Sequence, residues 1–321
     1  MHIAILLPCY NEEQAIAELI KNIQAMLKQA KLSADIYVYD NNSSDRTVEL
    51  AKAAGAIVRS EPMQGKGNVV RRMFCDIDAD IYVMMDGDLT YDVEAAPALI
   101  QKLIDENLDM VVGKRVTQIK EAYRAGHRFG NKMITGALQL VFGRGFDDVL
   151  SGYRVFSRRF VKSFPCMSSG FEIETELTVH ALELRLPVAE VETRYFARPE
   201  GSVSKLSTYR DGFRIGKTIL NLFRTEKPLA FFSLVAGFIL LASAALFWPV
   251  WQTYIATGLV PRLPTAVLAM GLVIVAVLSG FCGLILDAIA KSNKEAKRLA
   301  YLRHATAQDA APNSLKKAAN A

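Results

Sequence analysis

The sequence predicts an α/β fold, a mixed, mainly parallel sheet with helices on both faces, followed by a two-helix transmembrane hairpin. Three observations carry this. Short apolar runs alternate with helix-period segments through the first half of the chain. Polar clusters follow three of those runs, at the strand ends where open parallel sheets bind ligands. Two long, almost uncharged stretches near the C-terminus can each cross a hydrocarbon core of ~30 Å.

The strands are expected at Ile3–Pro8, Asp35–Asp40, Ala56–Ser60, Ile81–Asp86 and Met110–Gly113. Ile16, Leu19, Ile20, Ile23 and Leu27 share one helical face, and Ser44-Asp45 caps a further helix that Gly55 ends. The opening Met1–Pro8 is too short and uncharged for a signal peptide and reads as the first strand. Beyond Lys114 the pattern loosens. Helices are expected over Lys132–Phe142 and Glu174–Arg185, and a strand over Val188–Tyr195.

Tyr209–Thr225 interleaves Arg210, Arg214, Lys217 and Arg224 with Phe213, Ile215, Ile219, Leu220, Leu222 and Phe223. That mixture suits a helix lying on a membrane surface. The spans run over about Leu229–Trp251 and Thr265–Ile289, with Trp248, Trp251 and Tyr254 placed for an aromatic belt. Arg262 is the sole cation of the connecting loop, whereas Lys217, Arg224 and Lys227 precede the first span and Lys291, Lys294, Lys297 and Arg298 follow the second. The positive-inside rule then puts both termini in the cytosol. Asp287 falls at the cytosolic end, where a carboxylate reaches water. The expected organisation is a cytosolic catalytic domain over 1–227, a hairpin over 228–289 and a basic, disordered tail over 290–321, Ala-rich from Ala305.

Composition narrows the function classes. Hydrophobic residues make up 51% of the 321 positions and gather after Pro228. A formal charge of +5 suits an anionic membrane surface or phosphate substrates. No zinc spacing, aromatic RNA-binding signature or long basic arm points to nucleic acid. Cys9, Cys75, Cys166 and Cys282 are widely spaced with no CxxC pair, as expected of reduced cytosolic thiols. His127 and His180 have no metal-ligand partners nearby in sequence and read as structural.

The three polar clusters are Pro8-Cys9-Tyr10-Asn11-Glu12-Glu13, Asp40-Asn41-Asn42-Ser43-Ser44-Asp45 and Asp86-Gly87-Asp88. Each alone reads as a solvated turn; three at one sheet edge read as a site. A nucleotide diphosphate leaving group carries several negative charges, which Mg²⁺ or Mn²⁺ on one or two carboxylates neutralises. The glycine between the aspartates permits close approach of backbone and metal. Gly65-Lys66-Gly67 adds a turn with a cation, equally compatible with phosphate binding and with a plain loop.

On these residues the run from Ile5 to Asp88 resembles family-2 glycosyltransferases of the GT-A (Rossmann-like) fold. The first cluster is similar to their opening motif, Asp40–Thr47 to their Asp-rich segment (with Asn41 and Asn42 replacing its second Asp and its Gly), and Asp86-Gly87-Asp88 to their metal motif. Asp148-Val149-Leu150-Ser151-Gly152-Tyr153-Arg154, Arg198 and Gly201–Leu206 resemble the acceptor side of dolichyl-phosphate mannose synthases and bacterial polyprenyl-phosphate glycosyltransferases. Thr90 stands where the family often carries Gln.

The resemblance implies inverting transfer from a UDP- or GDP-sugar to a polyprenyl phosphate, undecaprenyl phosphate in a bacterium, at the inner membrane. Asp88, assisted by Asp86 and with Thr90 as a candidate third ligand, would hold the metal. Pro8, Tyr10, Asn11, Glu12, Val38, Asp40, Lys66, Asp86 and Gly87 would bind the nucleotide-sugar. A phosphate acceptor is already an anion and needs no general base. Cations must bring it beside a diphosphate, and the candidates are Arg115, Arg128, Arg198 and Lys205, with Ser151 beside them. Arg198 and Lys205 join Asp88 as the expected catalytic groups.

Glu172 and Glu174 suit structural or sugar-positioning roles better than hydrolysis. Two rival readings are a processive polysaccharide synthase and a non-catalytic membrane scaffold. The first is disfavoured by the lack of a Gln-x-x-Arg-Trp pattern, the second by retention of the metal motif. Homo-oligomerisation is left open.

Overall fold

The computed structural model describes residues 1–116, 135–136, 139, 146–170, 172–197, 216–217, 220–221 and 223–312. Arg128, Arg198, Lys205 and His127, most of the expected helix at Lys132–Phe142 and most of the interfacial helix at Tyr209–Thr225 lie outside them.

Seven strands form one sheet: β1 (Ile3–Cys9), β2 (Ala34–Asp40), β3 (Ile57–Ser60), β4 (Ile81–Met84), β5 (Met110–Val116), β6 (Arg154–Ser157) and β7 (Val188–Arg194). Their order is β3-β2-β1-β4-β6-β5-β7. β1 to β4 are mutually parallel, β5 and β7 are parallel, and β6 runs antiparallel between β4 and β5. β6 was not expected from the sequence. Its four residues begin on a charged arginine, so no apolar run announces it.

Strand alternation sends successive side chains to opposite faces, and helices cover both. On one face Ile3, Ile5, Leu7, Val38, Val83 and Val155 pack with Ile16, Leu19, Ile20 and Ile23 of α1 (Ile16–Ala30) and Leu99, Ile100 and Leu103 of α4 (Ala96–Asp105). On the other, Tyr82 and Phe156 meet Phe74 of α3 (Lys66–Asp76) edge-on at 6.1 and 5.7 Å. Phe156 continues to Phe160 of α5 (Arg158–Ser163), and Phe160 to His180 of α6 (Ile173–Glu183). Burial among these rings lowers the His180 pKa to about 3, so the imidazole is neutral there. The short α2 (Thr47–Ala53) closes the second β-α unit; Asp45 Oδ1 accepts from the Thr47 N–H, and Gly55 at φ +88° turns the chain away.

The chain divides into two compact units: Met1–Gly216 with Lys297–Ala321, and Lys217–Ala296. The second unit carries α7 (Pro228–Thr257) and most of α8 (Leu263–Leu302), both long and apolar enough to cross a membrane. Large apolar side chains such as Phe238 and Leu241 are exposed along them. Ser243 Oγ, buried, donates to the Ala269 carbonyl at 2.8 Å and joins the two helices. Asp287 pairs with Lys291 at 2.8 Å, one turn on.

The expectation of a disordered tail needs correction through Pro312. Tyr301, near the end of α8, is buried and donates its hydroxyl to Asp109 Oδ2 at 2.9 Å. Lys297 pairs with Glu183 at 2.7 Å, and the Arg159 and Arg298 guanidinium groups lie 4.8 and 4.9 Å from the Tyr301 ring. Thr306 and Asp309 then form a capping box for α9 (Ala307–Ala310), and Ala307 and Ala311 enter the main core cluster. Alanine-rich composition reads as low hydrophobicity, but a methyl side chain fits a close approach to the core, which composition does not reveal.

Tyr301→Phe is expected to destabilise the protein by about 1–3 kcal/mol, because Asp109 is fully buried and loses a donor. Ser157 Oγ and Arg159 still serve that carboxylate, so folding survives. A lowered midpoint of thermal or urea unfolding checks this.

Candidate active site

The three polar clusters gather at one edge of the sheet. β1 and β2 end in register, with Cys9 opposite Asp40, so their following loops are neighbours. Those loops are laced together. Asn11, at φ +53°, donates its N–H to Ser43 Oγ (2.9 Å), and its Oδ1 accepts from the Ser44 N–H (2.8 Å). The Glu12 N–H donates to Thr47 Oγ1, the Glu13 N–H to Asp45, and the Arg46 N–H to Glu13 Oε2. Burial opposes ionisation of Asp45, but the Thr47 hydroxyl and several backbone N–H groups donate to it, so its carboxyl sits below the usual carboxylate range. Asp40 is buried, with both oxygens 3.3 Å from the Ser43 N–H, whereas Tyr10 is exposed at the rim.

Asn41 has a role that its sequence position does not reveal. Its amide donates to the Glu61 and Met63 carbonyls, each at 2.9 Å, and its Oδ1 accepts from the Gly65 N–H at 2.7 Å. It therefore ties β2 to the turn that launches Lys66. That turn is tight. A Cβ on Gly65, at φ +128°, would lie 2.1 Å from the Ser169 carbonyl oxygen, and one on Gly67 2.2 Å from that of Ser168. Both glycines are needed for backbone packing.

The third cluster follows β4. Asp88 is buried, and its Oδ1 accepts from the Thr90 hydroxyl (2.6 Å) and N–H (3.2 Å). Thr90 thus aims Asp88. Asp86 is more open and meets the Lys66 ammonium at 2.5 Å; the same ammonium meets Glu174 Oε1, also at 2.5 Å. Burial disfavours a charged Lys66, but Asp86 and Glu174 outweigh it and hold its pKa above the ordinary lysine value. Gly152 lies against this pair: a Cβ there would sit 2.8 Å from Asp86 Oδ2 and 3.0 Å from Lys66 Nζ. Its N–H donates to the Tyr91 hydroxyl at 2.8 Å, and burial raises that phenol's pKa well above its usual value.

Two sequence-based side-chain assignments change. Val38 is fully buried in the core, so its side chain has no surface to offer a nucleotide. Ser151 is equally buried, its hydroxyl donating to the Gly113 carbonyl at 2.6 Å, which removes it from direct acceptor contact. At Gly87 a Cβ would lie 2.6 Å from the Cys9 sulfur, so packing against Cys9 is a further reason for a glycine there. Pro8 remains half-buried at the end of β1.

Arg115 grips Asp148 with both prongs, at 2.8 and 2.7 Å, and lies 5.6 Å from the Tyr195 ring. The neighbouring Arg154 is wholly buried. It donates to the Ser151 and Val149 carbonyls and to Thr178 Oγ1, shaping the turn that presents Gly152. Burial lowers its pKa to about 10, with partial compensation from Glu174 and Asp148. Glu174, Gly152, Arg154 and Tyr91 are thus site-forming residues whose importance the linear motifs understate.

Asp86 and Asp88 suit a hard divalent cation, which prefers carboxylate oxygen and takes its remaining ligands from water and substrate phosphate. Among the described residues no group of three or more His, Cys, Asp or Glu is arranged to cage a metal.

The family-2 glycosyltransferase model matches residues 4–164. Glycosyltransferase AglJ of Haloferax volcanii is 36% identical over 235 residues, 73% of this chain and 76% of that protein. A dolichyl-phosphate hexose transferase of the same organism is 28% identical, over 70% of this chain and 95% of its own length. Among solved structures, glucosyl-3-phosphoglycerate synthase of Mycobacterium tuberculosis, in complex with Mn²⁺, UDP-glucose and phosphoglyceric acid, superposes with a TM-score of 0.56 and 25% identity, covering 69% of this chain and 78% of that one. The mixed sheet with carboxylates at its edge is a GT-A glycosyltransferase fold. The chain belongs to glycosyltransferase family 2 and is an enzyme of that class.

Proposed function

We propose that the protein transfers a hexose, with inversion, from a UDP- or GDP-sugar to a polyprenyl phosphate at the cytosolic face of the inner membrane. The observation that carries this reading is the presence, on one chain, of a braced two-carboxylate family-2 site and two helices long enough to span a bilayer. The dolichyl-phosphate hexose transferase similarity supports it, and the Mn²⁺–UDP-glucose complex of the structural relative supports a metal-bound nucleotide donor.

Asp88 and Asp86 would hold a divalent ion, which would supply charge neutralisation for the departing diphosphate. Tyr10 and Asp40 line the nucleotide end, and Thr90 keeps Asp88 aimed. The acceptor phosphate attacks as an anion, so no side chain need remove a proton. Arg198, Lys205 and Arg128 are the proposed acceptor cations. Arg115 acts chiefly by fixing Asp148 and with it the turn that carries Gly152.

The full-length protein in detergent, given Mn²⁺, a panel of radiolabelled UDP- and GDP-sugars and polyprenyl phosphate, should form one lipid-linked sugar monophosphate. Transfer only to a soluble acceptor would overturn the lipid assignment. For topology, cysteines placed in 252–263 should label from outside intact cells, and cysteines in the first unit should not. External labelling of the catalytic unit contradicts the orientation.

A further inference from the structure

The pairing of Lys66 with Asp86 bears on how a metal reaches the site. Two carboxylates that share one ammonium at 2.5 Å already form a cation site, and the cation in it belongs to the chain. The lysine is not there by default. Asn41 anchors the preceding Gly65, the Gly67 N–H donates to the Gly170 carbonyl, and Ser168 and Ser169 press on the turn from the other side. Glu174, in the first turn of α6, has a 5% exposed side chain, and that of Lys66 is 10% exposed. Gly152 lies against the pair, since a Cβ there would sit 3.0 Å from Lys66 Nζ. This ammonium is therefore held at the metal-motif carboxylate by contacts from three separate segments.

We propose that Lys66 is a built-in counter-ion of the metal site, positioned by Glu174, so that a divalent cation binds Asp86 well only when an anionic donor draws the ammonium away. The inference rests on the reading of the donor as a nucleotide diphosphate sugar. It makes Lys66 do two things in sequence. Without donor, it neutralises Asp86 and Glu174, which would otherwise be adjacent charges in a partly desolvated site. With donor, the diphosphate offers the same ammonium a new anionic partner, and Asp86 becomes available to the metal that accompanies the nucleotide. Metal and donor then bind cooperatively through an exchange of one cation for another. Glu174 is a positioning residue in this scheme, acting through Lys66.

The test is a titration of full-length protein in detergent with Mn²⁺ alone, followed by EPR of the free ion. Lys66→Met should raise nucleotide-free Mn²⁺ affinity about tenfold or more, since a cation no longer competes for Asp86. Because Lys66→Met takes from Glu174 its ammonium partner and so threatens folding, the double variant Lys66→Met/Glu174→Gln, which keeps the wild-type net charge at the site, is measured beside it. It should gain Mn²⁺ affinity as well, by less than the single variant. Lys66→Arg, which keeps the cation, should show no gain. Unchanged or weakened Mn²⁺ binding in the folded Met variants, or an equal gain with Arg, overturns the proposal.

The wild type provides an independent measurement. UDP or GDP, whichever binds, should raise Mn²⁺ affinity beyond what the nucleotide achieves free in solution; independent binding of the two would overturn the exchange. The Mn²⁺-only arm contains no sugar, nucleotide or lipid. Failure of the proposed reaction therefore shows as absent nucleotide binding or transfer with the Lys66→Met gain intact. Failure of the counter-ion proposal shows as normal transfer without that gain.

Discussion

Asp88→Ala is expected to reduce sugar transfer by about a thousandfold or more while the protein still folds. The carboxylate lies one residue beyond Gly87 at the end of the central strand β4 and is buried, with Thr90 donating to it twice. A metal-held diphosphate stabilises the leaving group by several kcal/mol, and loss of ~4 kcal/mol slows a reaction about a thousandfold. The cost to stability is much smaller. Alanine leaves the Thr90 hydroxyl without this acceptor, worth about 1 kcal/mol. Asp88→Asn retains an acceptor and should melt close to wild type, yet its neutral amide binds a dication poorly, so it should be nearly as inactive. Rates and thermal melts of both variants, with and without EDTA, check this. Wild-type turnover insensitive to EDTA in either variant would remove Asp88 from the chemistry.

Asp88 was legible in the sequence because a buried apolar run, Ile81–Met85, leads straight into its motif. The same holds for the clusters after β1 and β2. Buried strands of an α/β sheet are continuously apolar, so the polar residues that end them stand out. What the linear pattern conceals is pairing between distant segments. Asn41 looks like a departure from the family's Asp-rich motif, but its amide braces the Lys66 turn. Glu174 looks like one acidic residue in the first turn of a helix, and only the fold brings it to Lys66. Val38 and Ser151 sit inside or beside recognisable motifs, but alternation and burial turn their side chains into the protein. The strand β6 escaped notice for a related reason. It starts at Arg154, whose charge is matched by backbone carbonyls that a sequence does not display. Ala307 and Ala311 were hidden by size, since small side chains carry little hydrophobic signal wherever they end up.

Gly152→Ala should inactivate the enzyme out of proportion to its effect on the fold. The backbone at Gly152 is not in the left-handed region, so alanine adds no dihedral strain, and the N–H can still donate to the Tyr91 hydroxyl. The new methyl, however, would sit 2.8 Å from Asp86 Oδ2 and 3.0 Å from Lys66 Nζ. Both atoms are the far ends of side chains, so they can move, and global stability should change by no more than about 1 kcal/mol. Where they move is the difficulty. Lys66 is already braced by Glu174, and Asp86 must turn away from the ammonium or shift relative to Asp88. A displacement near 1 Å at a reacting centre can cost about a hundredfold in rate, and that is the expected loss in transfer. Thermal unfolding near the wild-type midpoint, with transfer down by that factor and weakened response to Mn²⁺, is the predicted pair of results. Normal transfer would mean that the Asp86–Lys66 arrangement is not the one used in catalysis. A collapse of stability would mean that the turn, rather than the site, depends on the glycine.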